Sequence, residues 1–187
     1  MNVPINEKVK TKNLSYYFYA GGLTNHRKMD FIFKANKKLN KKIMVAGDGP
    51  LLEQYKKKYS SSKIVFLGRI SQKMVDKISS ECELIFAPYD TSFPNNILAS
   101  PNKLFDAMKY GKPVLVSNNT VMGKIVEKEQ CGCTFSYGSE KDFIKKAKVV
   151  EKNYKTFAKN ARIAFEREYS WSIMEKRILK LYEDLLR

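Results

Sequence analysis

Residues 99–114 read Ala99-Ser100-Pro101-Asn102-Lys103-Leu104-Phe105-Asp106-Ala107-Met108-Lys109-Tyr110-Gly111-Lys112-Pro113-Val114. The spacing predicts a helix over 101–110. Ser100 suits the cap, since its hydroxyl can accept from a first-turn N–H, and Pro101 suits the first helical position, where no donor is needed. Gly111 ends the helix and Pro113 prevents its continuation. An apolar run, Val114-Leu115-Val116, follows at once and reads as a strand.

The same helix-then-strand unit recurs in both directions along the chain. Short runs rich in Val, Ile, Leu, Phe or Tyr fall at 14–20, 42–46, 64–67, 84–87, 114–117 and 133–136. Helical spacing fills the intervals at 30–39, 51–59, 71–81, 101–110, 121–128 and 140–150. The runs from the second to the fifth are almost wholly apolar, as strands buried on both faces of a parallel sheet should be. The expected class is α/β: a Rossmann-like, doubly wound parallel sheet of about six strands. Residues 153–187 carry no strand signal and read as two C-terminal helices joined near Tyr169-Ser170. Ser170 should cap the second, and Trp171, Met174, Ile178, Leu181 and Leu185 should anchor it at near-helical spacing.

At 187 residues with 43% hydrophobic content, the chain can bury the core of one ordinary domain, taken as residues 1–187. Residues 1–13 are polar and lysine-rich and read as a flexible or linker segment. They do not resemble a signal peptide, and no run approaches the ~20 apolar residues of a membrane span. A cytoplasmic protein is expected, with possible peripheral contact at the inner membrane face. The three cysteines, Cys82, Cys131 and Cys133, argue against a disulfide framework. Cys131-Gly132-Cys133 lacks the C-x-x-C spacing of a metal or redox pair, so no metal is expected.

Lys and Arg number 35 against 19 Asp and Glu, a formal charge of +16. Nucleic acid, an anionic membrane surface and a phosphorylated small substrate could each answer that charge. So could a solvated surface, because most lysines stand singly or in short groups such as Lys56-Lys57-Lys58.

In an open parallel sheet the ligand crevice lies beyond the carboxyl ends of the strands. The first strand leads into Gly21-Gly22-Leu23-Thr24-Asn25-His26-Arg27, a flexible turn followed by a cation with a bidentate fork. The second leads into Gly47-Asp48-Gly49-Pro50, a strand-to-helix turn that is not the G-x-G-x-x-G dinucleotide fingerprint. The third leads into Gly68-Arg69-Ile70, with Ser71 as a helix cap. At Ser100–Lys103 the first-turn N–H groups form an anion site to which Lys103 adds a cation. Asp106 lies one turn deeper on the face of Asn102, where a carboxylate could accept from vicinal hydroxyls. That is a receptor for a ribose diphosphate, or else a capped helix with surface charges. No residue presents itself as the catalytic group. His26, the single histidine, reads as a loop residue rather than a base.

In order and spacing these segments resemble the C-terminal, donor-binding domain of the group 1 (family 4) glycosyltransferases with the GT-B fold, over nearly the whole chain. Gly21-Gly22-Leu23-x-x-x-Arg27 is similar to the family's G-R-L-x-x-x-K-G loop, and Gly47-Asp48-Gly49-Pro50 to its G-x-G-P turn. Val65-Phe66-Leu67-Gly68 is similar to V-x-F-L-G, and Ser100–Asp106 to S-P-N-K-L-F-E, followed by Gly111-Lys112-Pro113-Val114. Tyr169-Ser170-Trp171 and Leu181-Tyr182 are typical of its C-terminus.

The resemblance implies a nucleoside-diphosphate sugar donor of the UDP or GDP type, and transfer of a hexose with retention. The acceptor would be a glycan or lipid-linked molecule in cell-surface polysaccharide or glycoconjugate synthesis. No cofactor is implied beyond that substrate. Arg27 stands where the family has its diphosphate-binding lysine. Ser100, Pro101, Asn102, Lys103 and Leu104 match the phosphate loop, Asp106 the ribose-binding glutamate, and Gly68, Arg69 and Ile70 the stretch that meets the base. Gly21, Gly22, Gly47 and Gly49 complete the implied contacts.

The chain also departs from the pattern. Gly22 replaces the first-loop arginine, Lys28 a glycine, and Asp106 is one methylene shorter than glutamate. The first acid of the family's E-x7-E pair falls on Leu98, and the loop 89–98 is longer than usual; Asn95, Asn96 or their backbone could take over the sugar contacts. The family's N-terminal acceptor-binding domain has no room here, so the chain alone is expected to be inactive without that domain or a partner. The competing reading is a non-catalytic basic α/β module for nucleic acid or an anionic membrane, disfavoured for nucleic acid by the absence of an aromatic-plus-basic motif. An epimerase or phosphorylase of similar fold finds no supporting residue signature.

Overall fold

The computed structural model describes residues 15–186; positions 1–14, with the linker segment and the first residue of the first expected strand, lie outside them. The strands are β1 (Tyr16–Ala20), β2 (Lys42–Ala46), β3 (Ile64–Gly68), β4 (Leu84–Ala87), β5 (Val114–Ser117) and β6 (Gly132–Phe135). They form one sheet in the order β3-β2-β1-β4-β5-β6, and every pairing is parallel. The chain therefore winds outward from β1 to β3, returns to the middle, and winds outward again from β4 to β6. The turning point lies between β1 and β4, and there the loops diverge and leave a crevice.

Strand alternation explains why the apolar runs show no polar face. On β1, Tyr17 and Tyr19 join one buried cluster, while Tyr16 and Phe18 join the other. The first cluster is covered by α1 (Asp30–Leu39), α2 (Leu52–Tyr59) and α7 (Glu140–Lys152), through Ile32, Tyr55 and Phe143. The second is covered by α3 (Gln72–Glu81), α5 (Asn102–Lys109), α6 (Val121–Glu129) and α8 (Tyr154–Ala164), through Ile78, Leu104, Val126 and Ala161. With apolar helices on both faces, each strand must be apolar on both sides. A short helix, α4 (Pro94–Leu98), lies in the connection from β4 to α5, and α9 (Trp171–Leu185) closes the chain.

Two local expectations are corrected. Ser100 does not cap α5. Pro101 holds an extended backbone (φ −77°, ψ 145°), so the helix starts at Asn102 and the capping position falls on a residue with no side-chain acceptor. Ser71, by contrast, caps α3 as expected, accepting from the Met74 N–H. The second correction concerns α9. Trp171 is 67% and Leu185 73% exposed, and Ile178 and Leu181 are exposed as well, so these residues do not anchor the helix to the sheet. Helical periodicity shows that one face is apolar; it does not say what covers it. Ser170 begins α9 without a side-chain cap, its hydroxyl pairing with that of Ser172, after a π-helical turn at Phe165–Tyr169. Among the described residues no helix is long and apolar enough to cross a membrane.

Candidate functional site

The crevice between β1 and β4 holds a cavity of about 350 Å³. That lies within the range of small-molecule sites. Gly21, Arg27, Pro101, Asn102, Lys103 and Asp106 line it, so six of the residues singled out in the sequence meet there. Ala20, Gln72, Val75 and Tyr89 also line it and were not anticipated.

Lys103 is the central feature. It stands in the first turn of α5, 8% exposed, and its Nζ has no hydrogen-bond partner. Two tyrosine rings hold it, with centroids 4.1 Å (Tyr19) and 5.4 Å (Tyr89) from Nζ. Gly21 lies directly against it: a Cβ added there would come within 2.7 Å of Nζ. Burial, helped by the nearby Arg27, pulls the Lys103 ammonium down to about 7. A buried cation without an anion is costly, and such a group beside a cavity marks a place prepared for one.

Arg27 arrives from the other wall. A single 3-10 turn at Asn25–Arg27 carries its guanidinium over the Tyr89 ring, 4.3 Å from the centroid. The start of α5 completes the cation cluster. Pro101 offers no side-chain acceptor; the Leu104 N–H donates to the Pro101 carbonyl at 3.1 Å, and the N–H groups of Asn102 and Lys103 can face an anion. The missing serine cap thus favours the anion site. On the next turn, burial and then the neighbouring Asp76 push the Asp106 carboxyl up, against the pull of Lys109. A half-buried carboxylate one turn from a cation cluster suits a hydroxyl-bearing group attached to an anion.

The glycine turns shape the loops behind the cavity. Gly47 and Gly49 do not line the cavity. They let the loops after β1 and β2 run side by side, with Gly21 N–H donating to the Ala46 carbonyl and Leu23 N–H to that of Asp48, each at 2.9 Å. A Cβ on Gly47 would stand 1.9 Å from the Gly21 oxygen, and both glycines hold positive φ (+138° and +144°). They shape the floor that carries Gly21. Gly22 accepts from the Tyr19 hydroxyl through its carbonyl and is likewise outside the lining. Gly68, Arg69 and Ile70 also lie outside it; Gln72 and Val75 of α3 take that edge. Ser100 is exposed, and Leu104 is wholly buried in the core beneath α5.

The loop 89–98 is tied to the loop carrying Arg27. The Asn96 amide nitrogen donates to the His26 and Asp90 carbonyls, both at 2.9 Å, and the His26 ring stacks on Phe93 at 4.0 Å. That amide nitrogen is thereby engaged within the chain, while Asn95 is exposed. Leu98 is 71% exposed and places no acid in the site.

The sequence model of the family described as "Glycosyl transferases group 1" matches residues 15–153. No curated protein sequence matches the chain. Solved structures share its fold. HepE from Anabaena, in complex with UDP, aligns at a TM-score of 0.74 and 15% identity over 92% of this chain and 49% of that one. Sucrose-phosphate synthase from Thermosynechococcus elongatus aligns at 0.76 and 14% identity over 97% and 47%. A glycosyltransferase from Rickettsia africae aligns at 0.75 and 14% identity over 94% and 48%. This chain thus spans about half the length of these relatives. The shared unit is the Rossmann-like C-terminal half of the GT-B fold. With the family's sequence pattern running from the first strand to the end of α7, over a sheet that opens its crevice where that pattern places its motifs, this chain belongs to the group 1 glycosyl transferases.

Proposed function

We propose that this chain is the donor-binding part of a glycosyltransferase and holds the diphosphate of a nucleoside-diphosphate sugar between Lys103, Arg27 and the start of α5. The observation that carries the reading is the buried, unpartnered Lys103 ammonium facing a cavity that Arg27 and Asp106 also line. Asp106 is positioned one turn beyond the cations, suited to the ribose hydroxyls. UDP in the similar Anabaena structure supports a uridine nucleotide as the first ligand to try. In this reading the sugar is a hexose passed with retention to a glycan or lipid-linked acceptor, and acceptor contacts come from a second domain or partner. Chemistry then requires that second half, and the chain by itself binds without transferring. Calorimetric titration with UDP and GDP tests the reading: a diphosphate-dependent heat with at least one is expected, and no heat with either overturns it.

A further inference from the structure

Lys103 and Arg27 share a neighbour that is neither an acid nor a backbone carbonyl. The ring of Tyr89 lies 4.3 Å from the Arg27 Cζ and 5.4 Å from the Lys103 Nζ, measured to its centroid. Both cations lie over the face of Tyr89, whereas Tyr19 meets Lys103 with its ring and Arg27 through its hydroxyl. Tyr89 is 2% exposed and Lys103 8%, while Arg27 is half-buried at the cavity wall. Its backbone is fixed: the Tyr89 N–H donates to the buried Ser117 hydroxyl at the end of β5, at 2.8 Å. The ring therefore sits at a set place on the β4 side of the crevice, between a cation delivered by the β1 loop and another delivered by α5.

The chemistry of that choice has a consequence. Two cations brought together without an anion repel, and something must hold them until the ligand arrives. A carboxylate would hold them but would also neutralise them and compete with a diphosphate. The face of an aromatic ring attracts a cation through its quadrupole and carries no net charge, so the N–H donors stay available to an incoming anion. The attraction strengthens with desolvation, which favours the contact with the buried Lys103.

We infer that Tyr89 is a positioning residue of the diphosphate site: its ring holds Arg27 and Lys103 together in a binding-ready arrangement while leaving their charge uncancelled. The inference rests on the donor-site reading above. It assigns the role to the ring and not to the hydroxyl, so phenylalanine should replace tyrosine and an aliphatic residue of similar bulk should not.

The test compares the unaltered chain with Tyr89→Phe and Tyr89→Leu, using UDP, GDP, inorganic pyrophosphate and uridine as probes in calorimetry. Thermal melting of each variant checks the fold. For the diphosphate probes that the unaltered chain binds, Tyr89→Leu should weaken affinity at least about fivefold, the scale of a desolvated cation–aromatic contact, and Tyr89→Phe should stay within about twofold. Any affinity for uridine, which carries no phosphate, should not change. Equal diphosphate affinity in Tyr89→Leu overturns the inference and leaves the donor site standing. So does a loss in Tyr89→Phe as large as in Tyr89→Leu, which would give the role to the hydroxyl. If Tyr89→Leu melts too low to titrate, the pair of the unaltered chain and Tyr89→Phe decides, with any loss above about twofold counting against the ring. Failure of the unaltered chain to bind UDP, GDP or pyrophosphate overturns the donor-site reading and the role of Tyr89 with it.

Discussion

Two helices, α4 and α5, lie one after the other beside the crevice, separated by Ala99, Ser100 and Pro101, and they contribute in opposite ways. At the start of α5, Lys103 is buried and unpartnered and Leu104 is sealed in the core. At the end of α4, Leu98 is largely exposed, and the one buried polar side chain, Asn96, is tied to neighbouring backbone. The first helix wall holds uncompensated charge next to a cavity; the second holds its loop in place and offers no charge. A buried ammonium without a hydrogen-bond partner carries a cost that a bound anion would offset, so α5 is the proposed anion-binding end of the site. The α4 end shows no such cost and carries no sugar-binding signature of its own.

The contrast can be broken most forcefully at the buried Leu104. Leu104→Ala should cost about 2–5 kcal/mol of stability, as truncation of a buried leucine generally does. Chemical denaturation would measure it, and a smaller loss would mean that α5 is held loosely and positions Lys103 poorly. Next comes the charge itself. Lys103→Met keeps the stem and removes the ammonium, and loss of one charge-assisted contact of about 2 kcal/mol predicts roughly thirtyfold weaker diphosphate binding. The same variant should melt no lower than the unaltered chain, because it removes a desolvated charge and leaves no partner stranded.

The pH dependence follows with a definite sign. Folding holds the Lys103 ammonium at about 7, below its ordinary 10.5. The unfolded chain therefore binds more protons between those two values, and stability rises with pH across that window while the full burden stands below 7. A diphosphate prefers the charged form, so its affinity should fall as pH rises from about 7 to about 9, above the ~6 second ionisation of the phosphate. Lys103→Met should lose that fall; a fall that persists would assign it to another group. Asp106→Ala should weaken nucleotide binding by roughly fivefold, about one hydrogen bond, while leaving pyrophosphate unaffected. The smallest effect is expected at Leu98→Ala: nucleoside-diphosphate affinity unchanged and stability altered by no more than about 0.5 kcal/mol.

The sheet was legible because its strands are apolar on both sides and separated by helical spacing, which leaves few alternatives once the runs are parallel. Residues 42–46, 84–87 and 114–117 form strands with the bounds read from the sequence. Arg27, Lys103 and Asp106 were legible because charged groups after strand ends or at a helix start have a physical reason to be there. The start of α5 was misjudged by one residue, since an extended Pro101 and a helical Pro101 are equally compatible with the same letters. Gly47 and Gly49 serve close backbone approach, a role that depends on which loops become neighbours across the sheet and so does not show in the letters. Tyr89 was missed because an aromatic residue past a strand end looks like core until the crevice is seen to open beside it. The apolar stripe of α9 was legible as a stripe, but its exposure was not, because the pattern is a property of the helix alone.

The proposed site depends above all on Lys103 being held ready for a diphosphate. It is tested most directly by following the Lys103 side-chain amine by NMR across a pH titration, without and with saturating UDP or pyrophosphate. A midpoint near 7 is expected in the free chain, with a clear upward shift when either ligand is bound. A Lys103 that titrates near the ordinary lysine value in the free chain, or one whose midpoint does not move with ligand bound, would contradict it.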